Sequence, residues 1–311
     1  MTTPRRSIPD PVLPRPIGAA LGLLLDRQVN EPPDRLHPVA LFGRVMGGAE
    51  RSLHAERRSA GVAHAALGVG IGISVGAFFR STTLATLLAV AGRALGRTAN
   101  RIGSALEAED LEAARSLLPS LVGRDPTCLD AREIARAVVE SVAENTVDAV
   151  VAPAFWAAVA GAPGAIGYRA VNTMDSMVGH HSARYEEYGW ASARLDDAVA
   201  WVPARLTAAL VVLVRPAQMG DILRAVCTQA AAHPSPNAGV AEAAFAGALR
   251  IRLGGLNRYG DRCELRPTLG TGPSPEPGDI ARAVRLSRDV GTALAGVLGL
   301  LGGFQMVRRR R

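Results

Sequence analysis

Ala149-Val-Val-Ala-Pro-Ala-Phe-Trp-Ala-Ala-Val-Ala-Gly-Ala-Pro-Gly-Ala-Ile-Gly-Tyr168 carries no charge, and its length is what an α-helix needs to cross about 30 Å of hydrocarbon. Pro153, Gly161, Pro163 and Gly164 interrupt it. Polar side chains crowd both of its ends: Glu140, Glu144 and Asp148 precede it, and Asn172, Asp175, His180, Arg184, Arg194, Asp196 and Asp197 follow. Ionisable groups beside hydrocarbon are costly, so such clusters face a polar cavity or mark a working site. The stretch predicts a broken membrane segment with a site at the membrane surface.

Outward from it, the composition points the same way. The 311 residues are 48% hydrophobic with a mean hydropathy of +0.15, which suits an all-α, polytopic integral membrane protein with cytoplasmic loops and amphipathic helices. We expect one membrane-embedded domain over residues 1–311, with an unstructured N-terminus over 1–16 and a flexible loop over 264–280. The net charge of +7 comes with only 4% aromatic residues, so it speaks for anionic lipid and anionic substrates rather than for nucleic acid. Cys128, Cys227 and Cys263 lie far apart without a C-x-x-C pair, which argues against a zinc site or a disulfide framework. All 35 basic residues are Arg. The absence of Lys excludes a P-loop and any Schiff-base or pyridoxal-phosphate chemistry.

Membrane candidates are a short apolar stretch, Ile17–Leu25, then Gly61–Phe79, then Ser81–Gly92, which either continues the preceding helix or turns back near Arg80. Ala149–Tyr168, Ala198–Val214 and Val290–Val307 complete the set. Gly68, Gly72 and Gly76 have the small-xxx-small spacing of helix contacts in lipid rather than that of a dinucleotide fingerprint. Asn100–Leu118 reads as an amphipathic helix outside the membrane, ended by Pro119. The four arginines Arg308–Arg311 follow the last apolar run, which by the positive-inside rule predicts a cytoplasmic C-terminus in the cell membrane.

Arg132, Arg136, Glu140, Glu144 and Asp148 recur every four residues, which puts them on one face of a helix. A surface salt-bridge ladder accounts for Arg136 with Glu140, but it leaves Glu144 and Asp148 as like charges, repelling by about 0.2–0.5 kcal/mol. A Mg²⁺ ion held by one or two carboxylates and phosphate oxygens relieves that repulsion. Asn172, Asp175 and Ser176 share another face. Arg194, Asp196 and Asp197 form a further charged group, readable also as a helix start. Arg205, amid Trp201, Val202 and Leu206, must snorkel or pair, and an acid from the cluster would serve. His37 and the adjacent His180 and His181 are weaker signals. Ser235 and Asn237 can cap a helix whose N-terminus receives phosphate.

Several ordered blocks carry a family resemblance: Glu140-Ser-Val-Ala-Glu-Asn-Thr with Asp148; Ala170-Val-Asn-Thr-Met-Asp-Ser-Met-Val-Gly179; Gly189-Trp-Ala-Ser-Ala-Arg-Leu-Asp-Asp197 with Pro203-Ala-Arg-Leu-Thr207; Ser235-Pro-Asn-Ala-Gly239; and Arg252-Leu-Gly-Gly255. From Asp26 to Tyr259 the chain resembles the adenosylcobinamide-phosphate synthases of cobalamin biosynthesis, the CobD/CbiB membrane proteins. It reads Asn30-Glu31-Pro32 where that family has Gly-Asp-Pro, and beyond Gly260 it matches no recognised pattern. A pyridoxal-phosphate decarboxylase shares the CobD name, but its Schiff base needs a lysine.

The resemblance implies an ATP-dependent amide ligase that joins adenosylcobyric acid to aminopropanol phosphate, with Mg²⁺ as cofactor and ATP as co-substrate. In that reading Glu140, Glu144, Asp175 and His180 are catalytic candidates. Arg184, Arg194, Ser235, Asn237 and Arg252 would hold phosphates, and Asp148, Asp196 and Asp197 the metal. A corrinoid transporter and a non-catalytic membrane scaffold of the same pathway are the alternatives, and other enzymes of that pathway are possible partners. A transporter would show repeated halves, which the sequence lacks.

Overall fold

The computed structural model describes residues 13–29, 38–180, 182–259 and 262–310. Expectations for residues 1–12, the Asn30-Glu31-Pro32 turn, His37, His181 and Arg311 lie outside the described residues. Leu13–Pro16, expected to belong to the unstructured N-terminus, instead leads into the first helix, α1 (Arg15–Leu25), because a Pro in the first turn is pre-set for a helix and loses no hydrogen bond.

Among the described residues the chain is predominantly helical, as its periodicity predicts, and four helices are long and apolar enough to cross a membrane. After α1 come α2 (Pro38–Leu53), α3 (Arg58–Phe79) and α4 (Thr82–Ala89). Arg80 adopts a left-handed conformation, φ 54°, and Ser81 caps α4 by accepting the Leu84 N–H. The chain therefore breaks at Arg80 rather than continuing as one long helix. The amphipathic region is split into α5 (Gly92–Glu107) and α6 (Leu111–Leu117) by Glu109, also left-handed. Then follow α7 (Ala131–Thr146), a π-helical turn at Val147–Val151, and α8 (Ala152–Val178).

The apolar run that decides the fold does not cross straight through. Gly161 sits at φ 71°, ψ −152°, a region essentially confined to glycine, and here α8 folds back on itself. A Cβ on Gly164 would lie 2.2 Å from the Trp156 carbonyl oxygen, and the Tyr168 hydroxyl reaches Asp148 Oδ1 at 3.4 Å, whereas twenty residues of straight helix span about 30 Å. The two arms form a helical hairpin whose tip lies at Gly161–Pro163 and whose ends, Asp148 and Asn172–Asp175, return to one level. α3 packs along the returning arm through its small residues. A Cβ on Gly68 would meet Met174, one on Gly72 Ala170, and one on Gly76 the backbone of Ala162 and Pro163. Gly70, off that stripe, faces open space.

The remaining helices are α9 (Trp190–Val214), α10 (Met219–Thr228), the buried α11 (Ala238–Leu249) and α12 (Pro277–Arg310). Between α11 and α12 the structure adds an antiparallel hairpin, β1 (Leu253–Tyr259) and β2 (Arg262–Leu269). It corrects the expected flexible loop over 264–280: residues 264–269 are strand, 277–280 are helix, and 270–276 connect them. Gly254 and Gly255, both at positive φ, form a bulge that places the hairpin against α7.

Exposed apolar side chains on α1 (Leu21, Leu24), α3 (Leu67, Ile73, Phe78) and α12 (Leu300, Leu301, Phe304) form the lipid-facing belt. The first turns of α12 pack outside it, with Ile280 against Gly103, Arg282 donating to the Leu249 carbonyl at 2.7 Å, and Thr146 donating to Ser287 at 2.8 Å. Arg308 and Arg309 end the same helix beyond the apolar run 290–307, about 27 Å further on. If that run crosses the bilayer, the α7 region and the C-terminus lie on opposite faces. A site on the cytoplasmic surface beside α7 and a cytoplasmic C-terminus then cannot hold together.

Two outcomes follow for intact membranes. Cys128, exposed ahead of α7, should react with a membrane-impermeant thiol reagent from one face while a tag after the last residue is cleaved only from the other. Reaction of both from the same face would mean that α12 does not span. Replacing Gly161 with Ala should cost about 1–3 kcal/mol and lower the melting temperature in detergent, while Gly70→Ala leaves it nearly unchanged. Equal effects would remove the hairpin tip as a point of constraint.

Candidate functional site

The return of the α8 hairpin brings four carboxylate-bearing segments to one cavity of about 480 Å³. Glu140 and Glu144 come from α7, Asp148 from the π-helical turn, Asp175 from the end of α8, and Asp196 and Asp197 from the second turn of α9. His180, Ser235 and Asn237 complete the set of sequence candidates that line it. The π turn adds a residue to the helical register, which carries Asp148 round towards the face used by Tyr168 and Asn172. Asn172 Nδ2 approaches Asp196 Oδ1 at 3.4 Å, and Arg169 Nη1 reaches Asn172 Oδ1 at 3.3 Å.

The candidates differ in how committed they are. Glu140 is 3% exposed; it pairs with Arg124, lies 3.6 Å from Arg136 Nη1, and accepts the Gly254 N–H at 2.7 Å. Arg136 in turn donates to the Gly254 and Leu256 carbonyls at 2.6 and 2.8 Å. Glu140 thus locks the β-hairpin bulge to α7, and only a glycine fits there, since a Cβ on Gly254 would fall 2.0 Å from the Pro267 carbonyl oxygen. Glu144, one turn on, is exposed to the cavity and makes no hydrogen bond or ion pair among the described residues. His180 is exposed at the rim, edge-on to Tyr185 with ring centroids 4.9 Å apart. Ser235 Oγ accepts the backbone N–H groups of Asn237 and Ala238 at 3.3 and 3.1 Å, capping α11. Asn237 donates to the Asp197 carbonyl at 2.8 Å and accepts from Arg205 at 2.9 Å. Arg205 also lies 4.4 Å over the Trp201 ring, so an amide and an indole, not the expected acid, accommodate it.

Three arginines singled out from sequence lie elsewhere. Arg184 is exposed and bonded to Glu50 at 2.9 Å. Arg252 is exposed with Ser274 at 3.4 Å. Arg194 is exposed and borders a neighbouring apolar groove rather than the carboxylate cavity. The cations of the cavity are instead Arg124, from the loop before α7, and Arg266, from β2. Neither belongs to a periodic pattern, and Arg266 lies past the recognised blocks. The one sequence signal for them is the excess of acids over nearby bases between Glu140 and Asp148.

His233 and Glu242, to which the sequence assigns no role, also line the cavity. Arg266 Nη1 points at His233 Nε2 at 3.1 Å, and an arginine can only donate. The Ser235 backbone N–H in turn donates to His233 Nδ1 at 3.1 Å, so both ring nitrogens face a donor, and the Ser235 carbonyl lies 3.2 Å from Nδ1. Burial holds the His233 pKa below the ordinary 6.5, and the Arg266 charge adds to that, against the Ser235 carbonyl, Glu140 and Glu264. Glu242 is pushed well above its usual range, first by burial and then by the Glu140 and Glu144 charges. Its Oε1 lies 3.6 Å from His233 Nε2. With a neutral ring and a carboxyl whose pKa is raised, this contact is not an ion pair.

Among the described residues, no group of three or more His, Cys, Asp or Glu side chains converges as a metal site. Hard oxygen donors spread over one wall suit Mg²⁺, which takes one or two carboxylates and fills its shell with water and phosphate oxygens; they do not form an all-protein cage.

Membrane-spanning helices around a cavity lined by carboxylates and arginines define an integral membrane protein with a polar chamber. The chain belongs to the CobD/CbiB family: the family model for CobD/Cbib protein matches residues 19–287, past the last block recognisable by eye and through Arg266. It is 49% identical to "Cobalamin biosynthesis protein CobD" of Mycobacterium tuberculosis over 96% of this chain and 97% of that one. Identity to the protein of the same name is 49% over 64% of each chain in Rhodobacter capsulatus, and 36% over 93% and 97% in Halalkalibacterium halodurans. No solved structure matches.

A histidine held below its ordinary pKa stabilises the fold above pH 6.5, and that contribution is lost as pH falls through its lower folded value. Melting temperature measured against pH should therefore drop on the acid side, and His233→Gln should flatten that limb. An unchanged acid limb in the variant would show that His233 is protonated or solvated in the fold.

Proposed function

We propose that this chain is an ATP-dependent amide ligase, joining the carboxylate of adenosylcobyric acid to the amine of aminopropanol phosphate with release of ADP and phosphate. The observation that carries this reading is the meeting of both charges in one cavity, lined by Glu144, Asp148, Asp175, Asp196 and Asp197 together with Arg124, Arg266 and the N-terminal residues of α11. Such a chamber takes an ammonium at its carboxylates and phosphate at its arginines.

A carboxylate is a poor electrophile and must be activated. Its oxygen attacks the γ-phosphorus of ATP, the bond to the β,γ-bridging oxygen breaks, and ADP leaves. The deprotonated amine then adds to the acyl phosphate, and the C–O bond to phosphate breaks as the amide forms. Arg124 and Arg266 clamp the transferred phosphoryl group, as bidentate donors do elsewhere. Glu144, accessible and uncommitted, takes the proton from the ammonium. Glu140 acts through Arg124 and the hairpin bulge and is a positioning residue. Mg²⁺, held by Asp148 with Asp196 or Asp175, would neutralise phosphate charge without the lysine that other nucleotide sites use. We place this cavity on the cytoplasmic face, where ATP is, which puts the C-terminal arginines on the opposite one.

A transporter would put its broken helix at the charged site. Here the break at Gly161 lies at the far end of the hairpin from the carboxylates, which disfavours that reading.

Purified protein in detergent, given ATP, Mg²⁺ and both organic substrates, should form amide and ADP one for one. Glu144→Gln should lower kcat by about 10²–10⁴-fold at unchanged protein level. Arg266→Lys, which keeps charge but loses the planar fork, should impair turnover far more than Arg184→Lys. Wild-type turnover in both the Glu144 and Arg266 variants would remove this cavity from the chemistry.

A further inference from the structure

A second cavity, of about 200 Å³, lies behind the carboxylate chamber on the other side of α7. Val142 and Val150 form its floor, while Glu140, Glu144 and Asp148 of the same segment face the first cavity. Its walls carry four guanidinium groups, those of Arg27 just past α1, Arg93 and Arg97 on α5, and Arg288 on α12. Among the described residues Asp26 is the one carboxylate lining it, and that group accepts the Arg93 N–H at 3.0 Å at the start of α5.

The arrangement is fixed by the fold. Arg27 donates to the Arg288 carbonyl at 2.9 Å and to Thr292 Oγ1 at 2.7 Å, and Arg93 donates to the Arg27 carbonyl at 2.8 Å. Four cations gathered in a half-enclosed space repel one another. Burial and the Arg288 charge both work against the Arg27 cation, with Asp26 and Asp289 opposing them. Asp289 is itself paired with Arg215 at 2.6 Å. A ligand that carries negative charge and several acceptor oxygens removes the repulsion.

The cavity's place in the fold says which such ligand. α1 enters the apolar belt immediately before Arg27, with Leu21, Leu24 and Leu25 exposed, and the apolar run of α12 begins directly after Arg288 and Asp289. The four arginines therefore stand at one edge of the belt, the depth of a phospholipid phosphate, and basic pockets between helices at that depth bind anionic headgroups. We propose that this cavity is a binding site for a phosphate group, supplied by an anionic phospholipid headgroup, that ties α1, α5 and α12 together at the membrane edge behind the carboxylate chamber.

The full-length protein in a zwitterionic detergent should show a rise in melting temperature on titration with short-chain phosphatidylglycerol, and little rise with phosphatidylcholine of the same chain length. The doubly substituted Arg97→Ala, Arg288→Ala protein should bind phosphatidylglycerol on the order of 30-fold more weakly, about fivefold for each arginine. Arg101→Ala with Arg285→Ala, two exposed arginines on the same helices that do not line the cavity, should bind as the wild type does. Inorganic phosphate forms the second arm. Stabilisation by phosphatidylglycerol alone supports the headgroup as occupant. Stabilisation by inorganic phosphate alone, lost in the cavity variant, keeps a phosphate site but overturns the lipid as its source. No stabilisation by either, or equal loss in both double variants, overturns the site. Should the cavity variant fail to fold, Arg288→Gln alone gives the same comparison with one charge removed.

Discussion

Everything at the candidate site depends on one backbone reversal. Gly161 occupies a conformation that other residues reach only at a cost of about 1–3 kcal/mol. That turn converts an apolar run of spanning length into two short arms, and without it Asp148 and Asp175 would lie about 40 Å apart along a helix. With it, acids from α7, α8 and α9 meet at the open end of the hairpin. The small-residue stripe of α3 holds the returning arm in place, because Gly68, Gly72 and Gly76 let the backbones approach more closely than any side chain allows.

Gathering acids beside hydrocarbon is unfavourable, and the structure offsets it locally. Glu140 is matched by Arg124 and Arg136, which also close the β-hairpin against α7. Glu242 sits with a neutral His233 that is held between Arg266 and the Ser235 backbone. These contacts leave Glu144 uncommitted, facing a cavity lined by both carboxylates and arginines. The same physics recurs with inverted sign on the far side of α7, where four arginines surround a smaller space.

Much of this is legible in the sequence. The interrupted apolar run, the four-residue spacing of Glu140, Glu144 and Asp148, and the Gly68–Gly76 stripe each have a local physical meaning that tertiary packing keeps. The carboxylates could be predicted to share a site because periodicity relates them to the ends of one broken segment. Arg124, Arg266, His233 and Glu242 could not, because only the path of the hairpin and of α11 brings them in, and no period connects them. Arg184, Arg194 and Arg252 misled for the complementary reason. They stand beside site residues in the chain, but the elements that carry them turn their side chains to solvent. The β-hairpin is masked in the sequence by the Pro- and Gly-rich stretch from Thr268 to Gly278, which overlaps the end of its second strand and reads as a loop.

The central claim is that this cavity activates a carboxylate by phosphoryl transfer. Its most direct test is isotopic: adenosylcobyric acid labelled with ¹⁸O in the reacting carboxylate is turned over with ATP and aminopropanol phosphate, and the released phosphate is analysed by mass. The account predicts one ¹⁸O atom in the inorganic phosphate for each amide formed, since the carboxylate oxygen leaves with the phosphoryl group. Unlabelled phosphate alongside amide product, or label in AMP, would contradict it.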